Sequence, residues 1–519
     1  MREYILSSEE ARRVDRFTMD EIGIPGIELM QKAGNFVSLK AKLLLKDVPG
    51  SRIDIFCGTG NNGGDGFVAA CNLWEWGGDI NIWIVGDPEK IQGDARHFYQ
   101  RCREAQLKIK VIREDDELGK LAIIREADLI IDALLGTGFR GDVKGITRDI
   151  IALINETELP VLAVDIPSGI RGDTGQVGGL AVQARKTVTM GFLKRGLLFH
   201  PGKRYAGEVA LVDLGYPPQA YSVLENETYL IRGVEVERML PAIDADTYKH
   251  RQGKILIFAG SPGMTGAATL SALGAMRAGA GLVVAAVPES LNGIMEIKLT
   301  EALTLPLPES KDHSFTPHSL MAAAERIDWS DLIVFGPGVS RRRDVMAFGK
   351  KLLSEWKAKP VVVDADGLRI FHQNLELIHT IDDLIITPHL GEFSDLTGIP
   401  ATEIRQDIIE HAREFVHKHR CTLVLKGAPT IIVAPDLTVA VNSTGNPALA
   451  SGGTGDVLTG VIAAFRAQGM NSFEAAASAV YIHGLAADEA YEELGIRGFI
   501  AGDLLTYIPK CLKKFDRIR

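Results

Sequence analysis

Residues 445–460 read G-N-P-A-L-A-S-G-G-T-G-D-V-L-T-G. The reading of this run decides the fold of the C-terminal half. Gly452, Gly453, Thr454 and Gly455 bring almost no side-chain bulk, so several backbone N–H groups can converge on one anion. The apolar run 457–465 reads as a helix whose positive dipole end points at the same place. Asp456 stands at the junction. If holding phosphate were the only task, an acid there would repel the ligand. It makes sense as a base that takes a proton from a hydroxyl about to attack a phosphoryl group. The plainer reading is a helix N-cap, since Asp after Gly is a common cap. Five glycines in sixteen residues favour phosphate chemistry.

Working outward, residues 431–434 and 438–442 pair as a hairpin around Pro435-Asp436 and deliver the chain to this run. Before it come short apolar strands, each ending in a small polar loop. Strand 254–260 ends in S-P-G-M-T-G-A-A, 331–335 in G-P-G-V, 360–364 in D-A-D-G, 384–387 in P-H-L-G-E and 422–426 in G-A-P-T. A small-residue helix over 267–278 and a strand over 282–287 fit the same alternation. The last sixty residues read as largely helical. This is the pattern of a doubly wound α/β domain, which binds ligands at its strand C-termini.

The N-terminal half has its own alternation. Ser7-x-x-Glu10 is a capping box that opens a helix to about residue 19, and a second helix runs over 27–45. Strand 52–57 enters G-T-G-N-N-G-G-D-G at 58–66, and a helix is expected over 67–76. Gly58, Gly60 and Gly63 fit a dinucleotide fingerprint. The acid expected about twenty residues on would be Asp79 or Asp87, and neither ends the second strand. Asn61, Asn62 and Asp65 put polar oxygens where a plain phosphate loop carries small apolar residues. At that spacing they suit a monovalent cation or ligand hydroxyls, or else an Asn-rich turn. Strand 128–132 leads into L-L-G-T-G, and strand 161–165 ends in D-I-P-S-G. Three strands therefore end in polar loops, after Cys57, at Asp132 and at Asp165. Further strands are expected over 81–85, 187–191 and 208–213. Signals weaken over 216–237, so the domains are set at 1–218 and 230–519.

Bulk properties narrow the function. A chain of 519 residues needs more than one core. Its 46% apolar and 24% charged content is that of a soluble globular protein. A net charge of −10, with no basic block beyond 341–343, argues against nucleic-acid binding. The five cysteines form no C-x-x-C pair, so a reducing, cytoplasmic setting is expected. No secretory signal is read in the first residues. The apolar stretch 267–287 carries Arg277 and three glycines, so no membrane span is expected.

With these motifs in place, the C-terminal half resembles the ribokinase-like superfamily through G-G-T-G-D. More narrowly it resembles the NAD(P)H-hydrate dehydratase family, through residues 260–267, 336–338, 364–367, 387–392, 425–427 and 446–460. The N-terminal half resembles the NAD(P)H-hydrate epimerase family, through 60–66, 132–138 and 165–169. The resemblance implies an α/β chain of two doubly wound domains, the first Rossmann-like and the second ribokinase-like. It implies a two-step repair of NADH or NADPH that has taken up water at a ring double bond. One domain would interconvert the R and S hydrates, and the other would dehydrate the S form with ADP as phosphoryl donor. Hydroxide is a poor leaving group, and phosphorylation makes it a good one.

Site residues follow from the same resemblance. Asp456 would be the dehydratase base. Gly338, His389, Leu390, Gly391 and Glu392 would meet the hydrated nicotinamide, although a lone histidine is as often a capping or packing residue. Lys426, Gly427, Ala428, Pro429 and Thr430 would contact ADP. So would Asn446, Ser451, Gly452, Gly453, Thr454 and Gly455. In the epimerase domain Asn62, Asp132 and Ser168 match potassium ligands. Asn61, Asn62, Gly63, Gly64 and Asp65 match substrate positions, as do Gly136, Thr137, Gly138, Phe139, Arg140, Gly141 and Asp142. Asp165 is the preferred acid/base. Mg2+ is expected for phosphoryl transfer, and so is an assembly of identical copies. Three rivals stand: a small-molecule kinase on the same Asp-plus-anion-hole plan, an N-terminal half that only binds, and a nicotinamide-dependent oxidoreductase resting on Gly58–Gly63.

Overall fold

The computed structural model describes residues 2–113 and 126–519. The chain divides into two compact units, Glu3–Glu225 and Asn226–Arg519, with Arg2 belonging to the second.

The first unit is built on a seven-stranded parallel sheet. Its order is Lys108–Ile112, Asp79–Val85, Arg52–Cys57, Leu129–Ala133, Val161–Val164, Lys186–Met190, Glu208–Val212. Numbered along the chain, that is the 3-2-1-4-5-6 order of a dinucleotide-binding fold, with one more strand added. Helices cover both faces. Ile53, Ile55 and Cys57 pack into one core layer with helices Gly26–Leu45, Asn61–Glu75 and Gly93–Glu104. Phe56, between them, faces the other layer with Ile150, Ile151 and Ile154 of helix Gly145–Glu156. Because both faces are buried, the central strands read as unbroken apolar runs. The strand order reverses between Arg52–Cys57 and Leu129–Ala133, which opens a crevice at their C-terminal ends.

One sequence expectation is corrected here. The glycine loop was expected to end at Gly66, but the helix starts at Asn61, with Gly60 as N-cap. Glycine disfavours helix, so the composition looks like a loop. Packing overrides it: a Cβ at Gly63 would lie 2.0 Å from the Gly58 carbonyl oxygen, and one at Gly66 would lie 2.8 Å from Cys57 Sγ. The capping box at Ser7 and Glu10 is present. The edge strands Lys108–Ile112 and Leu303–Leu307 were not anticipated. Both are partly exposed, so their apolar signal is weak.

The second unit has a sheet in the order Leu303–Leu307, Leu282–Pro288, Lys254–Phe258, Leu332–Phe335, Val361–Val363, Leu384–Ile386, Thr422–Leu425, Ile431–Val433, Val439–Val441, Thr228–Leu230. It is parallel as far as Thr422–Leu425, and the expected hairpin follows antiparallel. The parallel strands bring the polar loops after Phe258, Phe335, Val363, Ile386 and Leu425 to one edge. Helix Thr454–Ala467 starts at that edge and crosses helix Thr265–Arg277 at backbone contact. A Cβ at Gly460 would lie 2.1 Å from the Ser271 carbonyl oxygen. The last residues form helices Ser472–Leu494 and Ala501–Leu512. Among the described residues no helix is long and apolar enough to cross a membrane.

Candidate active sites

At the C-terminal sheet edge, helix Thr454–Ala467 begins on Gly453, whose φ of 92° a side chain would resist. The N–H groups of the first turn have no intrahelical acceptor, so they face the loop edge as an anion nest. Thr454 spends its hydroxyl on the carbonyls of Leu449 and Ser451, both at 3.0 Å. Asn446 accepts from Ala448 N at 2.9 Å and donates to Ala487 O at 2.9 Å and Asp488 Oδ1 at 3.0 Å. These two side chains shape the loop and leave Gly452, Gly453 and Gly455 to offer backbone.

Asp456 sits in the first turn, half-buried, with no hydrogen bond to its carboxylate among the described residues. Burial, followed by the negative charge of Asp364, pushes it up to about 7, against a smaller downward pull from Lys426. A carboxylate poised near neutrality suits a general base. Lys426 Nζ lies 2.8 Å from Asp364 Oδ1, and a Cβ at Gly455 would lie 3.5 Å from that nitrogen. Burial opposes the Lys426 charge, but Asp364 and Glu392 outweigh it and hold the pKa above its ordinary value. His483 is buried behind the turn, its Nε2 2.9 Å from the Thr454 carbonyl oxygen. Burial lowers its pKa to about 4, so it is neutral near pH 7.

His389 caps its helix. Its Nδ1 accepts from the N–H groups of Gly391 at 3.0 Å and Glu392 at 3.1 Å, while Glu392 Oε2 accepts from His389 N at 2.8 Å. Both side chains also line a cavity of about 340 Å³ with Arg341, Asp366, Arg369 and His372. Leu390 and Gly391 form the helix start and do not line it. Gly338 has φ 62°, and its carbonyl accepts from Ser261 Oγ at 2.8 Å, which joins two motif loops. Gly427 and Thr430 close their turn by hydrogen bonds to each other, across Ala428 and Pro429.

In the first unit, a cavity of about 440 Å³ opens at the crevice in the sheet. Its lining includes Asn61, Asn62, Asp65, Gly136, Thr137, Gly138 and Asp165, as the motifs suggest. It also includes Asp15, Lys194 and Tyr216, which the sequence reading missed. Lys194 follows strand Lys186–Met190, which pairs with Val161–Val164, the strand that leads to Asp165. Gly63 and Gly64 are buried helix-packing positions. Phe139, Arg140, Gly141 and Asp142 do not line the cavity. Arg140 pairs with Asp173 at 3.0 Å, and Arg171 reaches Gly141 O at 3.2 Å and Asp142 Oδ1 at 3.4 Å, so this stretch anchors the loop.

Asp165 has a φ of 66°, uncommon for a residue with a side chain. Its Oδ1 accepts from Lys194 Nζ at 2.5 Å, Thr189 Oγ1 at 3.3 Å and Met190 N at 3.3 Å. Lys194 also donates to Thr189 Oγ1 at 3.0 Å and Met190 O at 2.9 Å. Its three N–H bonds are thus spent, while Asp165 Oδ2 has no hydrogen-bond partner among the described residues. Burial, reinforced by the charge of Asp165, raises Asp65 well above its ordinary value and so favours its acid form. Burial also raises Asp15, which accepts from the Tyr216 hydroxyl at 2.6 Å.

Behind the cavity, Asp132 Oδ2 accepts from Ser168 N at 2.8 Å and Oδ1 from Ser168 Oγ at 2.6 Å. Burial raises Asp132 to about 6 despite these bonds. Asn62 Nδ2 donates to Leu135 O at 3.1 Å. Asn62 Oδ1 is buried with no partner among the described residues. The three expected cation ligands thus meet around Leu135, and they offer oxygen only. An orphaned buried acceptor beside a buried carboxylate fits a hard monovalent ion.

Comparison with known proteins finds similar sequences over nearly the whole chain. The sequence profile described as NAD(P)H-hydrate dehydratase matches residues 255–510, and the one described as YjeF-related protein N-terminus matches 26–196. The bifunctional NAD(P)H-hydrate repair enzyme Nnr of Moorella thermoacetica is 38% identical over 517 residues, covering 99% of this chain and 97% of the relative. Its counterpart in Thermofilum pendens is 35% identical over 505 residues, covering 97% and 95%. A ribokinase-like superfamily protein of Enterococcus faecalis V583 superposes with a TM-score of 0.50 at 23% identity. It covers 56% of this chain and 97% of its own, and shows the fold.

Proposed function

We propose that this chain, which belongs to the family of bifunctional NAD(P)H-hydrate repair enzymes, divides its two reactions between the two sheet edges. The enzyme repairs hydrated NADH and NADPH, interconverting the epimers and removing water from the S form. The observation that carries the division is Asp456, an unpaired carboxylate held near neutrality beside an anion nest and a lysine.

In dehydration, Asp456 accepts the C6 hydroxyl proton as the oxygen attacks the terminal phosphoryl group of ADP, whose bridging P–O bond breaks to release AMP. The first-turn N–H groups and Lys426 balance the charge on the transferred oxygens. The C–O bond then breaks with phosphate as leaving group, a ring proton is lost from the neighbouring carbon, and the double bond returns. Among the described residues no cluster of three or more His, Cys, Asp or Glu side chains could hold a metal. Mg2+ would therefore bind mainly through the nucleotide phosphates and water.

In epimerisation, C6 bears both the hydroxyl and the ring nitrogen. Protonation of the hydroxyl and loss of water leave a flat cation that water re-enters from either face. Asp65, whose acid form burial favours, suits the donor. Asp165, through its open Oδ2, suits the group that takes the proton from entering water. Asn62, Asp132, Ser168 and the Leu135 carbonyl would hold K+, which neutralises Asp132 and fixes the loop bearing Gly136.

The test is absorbance in the dihydropyridine band. With ADP or ATP, Mg2+ and the S hydrate, the enzyme restores it; no recovery with either nucleotide sinks the dehydratase reading. Replacing K+ by choline lowers the rate of R-to-S conversion and leaves dehydration of the S form unchanged. An equal rate in choline would remove the potassium assignment.

A further inference from the structure

One buried charge at the dehydratase edge has no role in the steps above. Asp364 follows strand Val361–Val363 and is 1% exposed. Its oxygens are divided: Oδ1 accepts from Lys426 Nζ at 2.8 Å, and Oδ2 accepts from Thr459 Oγ1 at 2.6 Å. Thr459 stands one turn beyond Asp456 on the same helix. A single carboxylate thus ties the end of strand Thr422–Leu425 to the helix that carries the base. From this geometry we infer that Asp364 is a positioning residue of the dehydration reaction, holding the Lys426 ammonium at the first turn of helix Thr454–Ala467. The inference rests on the reading of that edge as the dehydratase site.

A buried ion pair is a weak device for stability, since well-packed apolar residues often do as well. It is a strong device for fixing a charge on a long, flexible stem. Lys426 would otherwise sample many rotamers in front of the anion nest. The ammonium lies against the first turn, at van der Waals distance, 3.5 Å, from where a Cβ on Gly455 would stand. The charged groups felt by Asp456 are few. Asp364 and Asp366 repel its negative form, and Lys426 favours it. His483, behind the turn, is neutral, and Glu392 acts on Lys426. Loss of the Asp364 charge therefore moves the titration of Asp456 downward.

The experiment compares Asp364→Asn, Thr459→Val, Lys426→Met and the double variant Asp364→Asn/Lys426→Met with the wild type, each checked by circular dichroism. Asp364→Asn keeps the size and an acceptor for Lys426. Its acid limb of kcat/KM is expected about one pH unit lower, and its kcat falls roughly tenfold to a hundredfold through misplacement. Thr459→Val keeps the charge, so its acid limb stays and only kcat falls. In the Lys426→Met background, the added Asp364→Asn change costs little further rate. An Asp364→Asn enzyme with the wild-type acid limb and kcat overturns the inference. So does full additivity with Lys426→Met, and, if Asp364→Asn alone folds poorly, so does a folded double variant tenfold or more slower than Lys426→Met. A wild type inert towards the S hydrate would instead overturn the reading of the site itself.

Discussion

Asp456→Asn is expected to lower kcat for dehydration of the S hydrate by about 10²- to 10⁴-fold, with R-to-S conversion unchanged. Asparagine fills the same space at the helix start but cannot take a proton. Nucleotide binding relies on backbone N–H groups and Lys426, so KM for ADP or ATP stays near the wild-type value. A loss confined to kcat marks a group used in the transition state. The wild type supplies a second readout. Asp456 must be ionised to act and its pKa is pushed up to about 7, so kcat/KM falls as the pH drops through that value. Single-turnover recovery of dihydropyridine absorbance checks both points. Retention of a tenth or more of the wild-type rate in Asp456→Asn would move the base to another residue.

The second large effect is expected at the pair in the first unit. Lys194→Met removes the counterion of Asp165, whose Oδ1 also accepts from Thr189 Oγ1 and Met190 N. Without the Lys194 ammonium, the half-buried Asp165 carboxylate loses the contact that orients it. Epimerisation is then expected to fall by about 10²- to 10⁴-fold, while dehydration of pure S hydrate proceeds at the wild-type rate. Removing one partner of a buried pair costs about 3–5 kcal/mol of stability, so thermal melting must accompany the assay. Asp165→Asn, which preserves the hydrogen bonds to Oδ1, is expected to lose epimerisation with a smaller loss of stability. Equal epimerisation by Asp165→Asn and wild type, measured as S hydrate consumed by excess dehydratase, would reduce the pair to a structural role.

Much of this was legible along the chain. Strand-to-loop transitions after Cys57, at Asp132 and at Asp165 are short-range signals, and the sheet makes those three strands neighbours. The run at Gly452–Asp456 carries its own backbone requirement, because few side chains tolerate the φ of 92° at Gly453. Lys194 was missed because a lysine after a strand looks like any solvated charge. Its function depends on Asp165, 29 residues away. Asp364 fell within a matched motif, yet nothing local shows that both its oxygens are engaged by residues 62 and 95 positions on. Asn61 to Gly66 were misplaced in a loop because glycine composition argues against helix, whereas the contact with the Gly58 carbonyl that requires glycine is tertiary.

The α/β alternation, the two motif sets and their order, and Asp456 as the candidate base were all readable along the chain, since each rests on spacing and backbone tolerance over a few residues. Only the tertiary structure decided which charges meet. Ionisation of Asp65, Asp132 and Asp456 depends on burial and on groups brought in from other elements. Those energies arise between elements far apart along the chain, and no local pattern carries them.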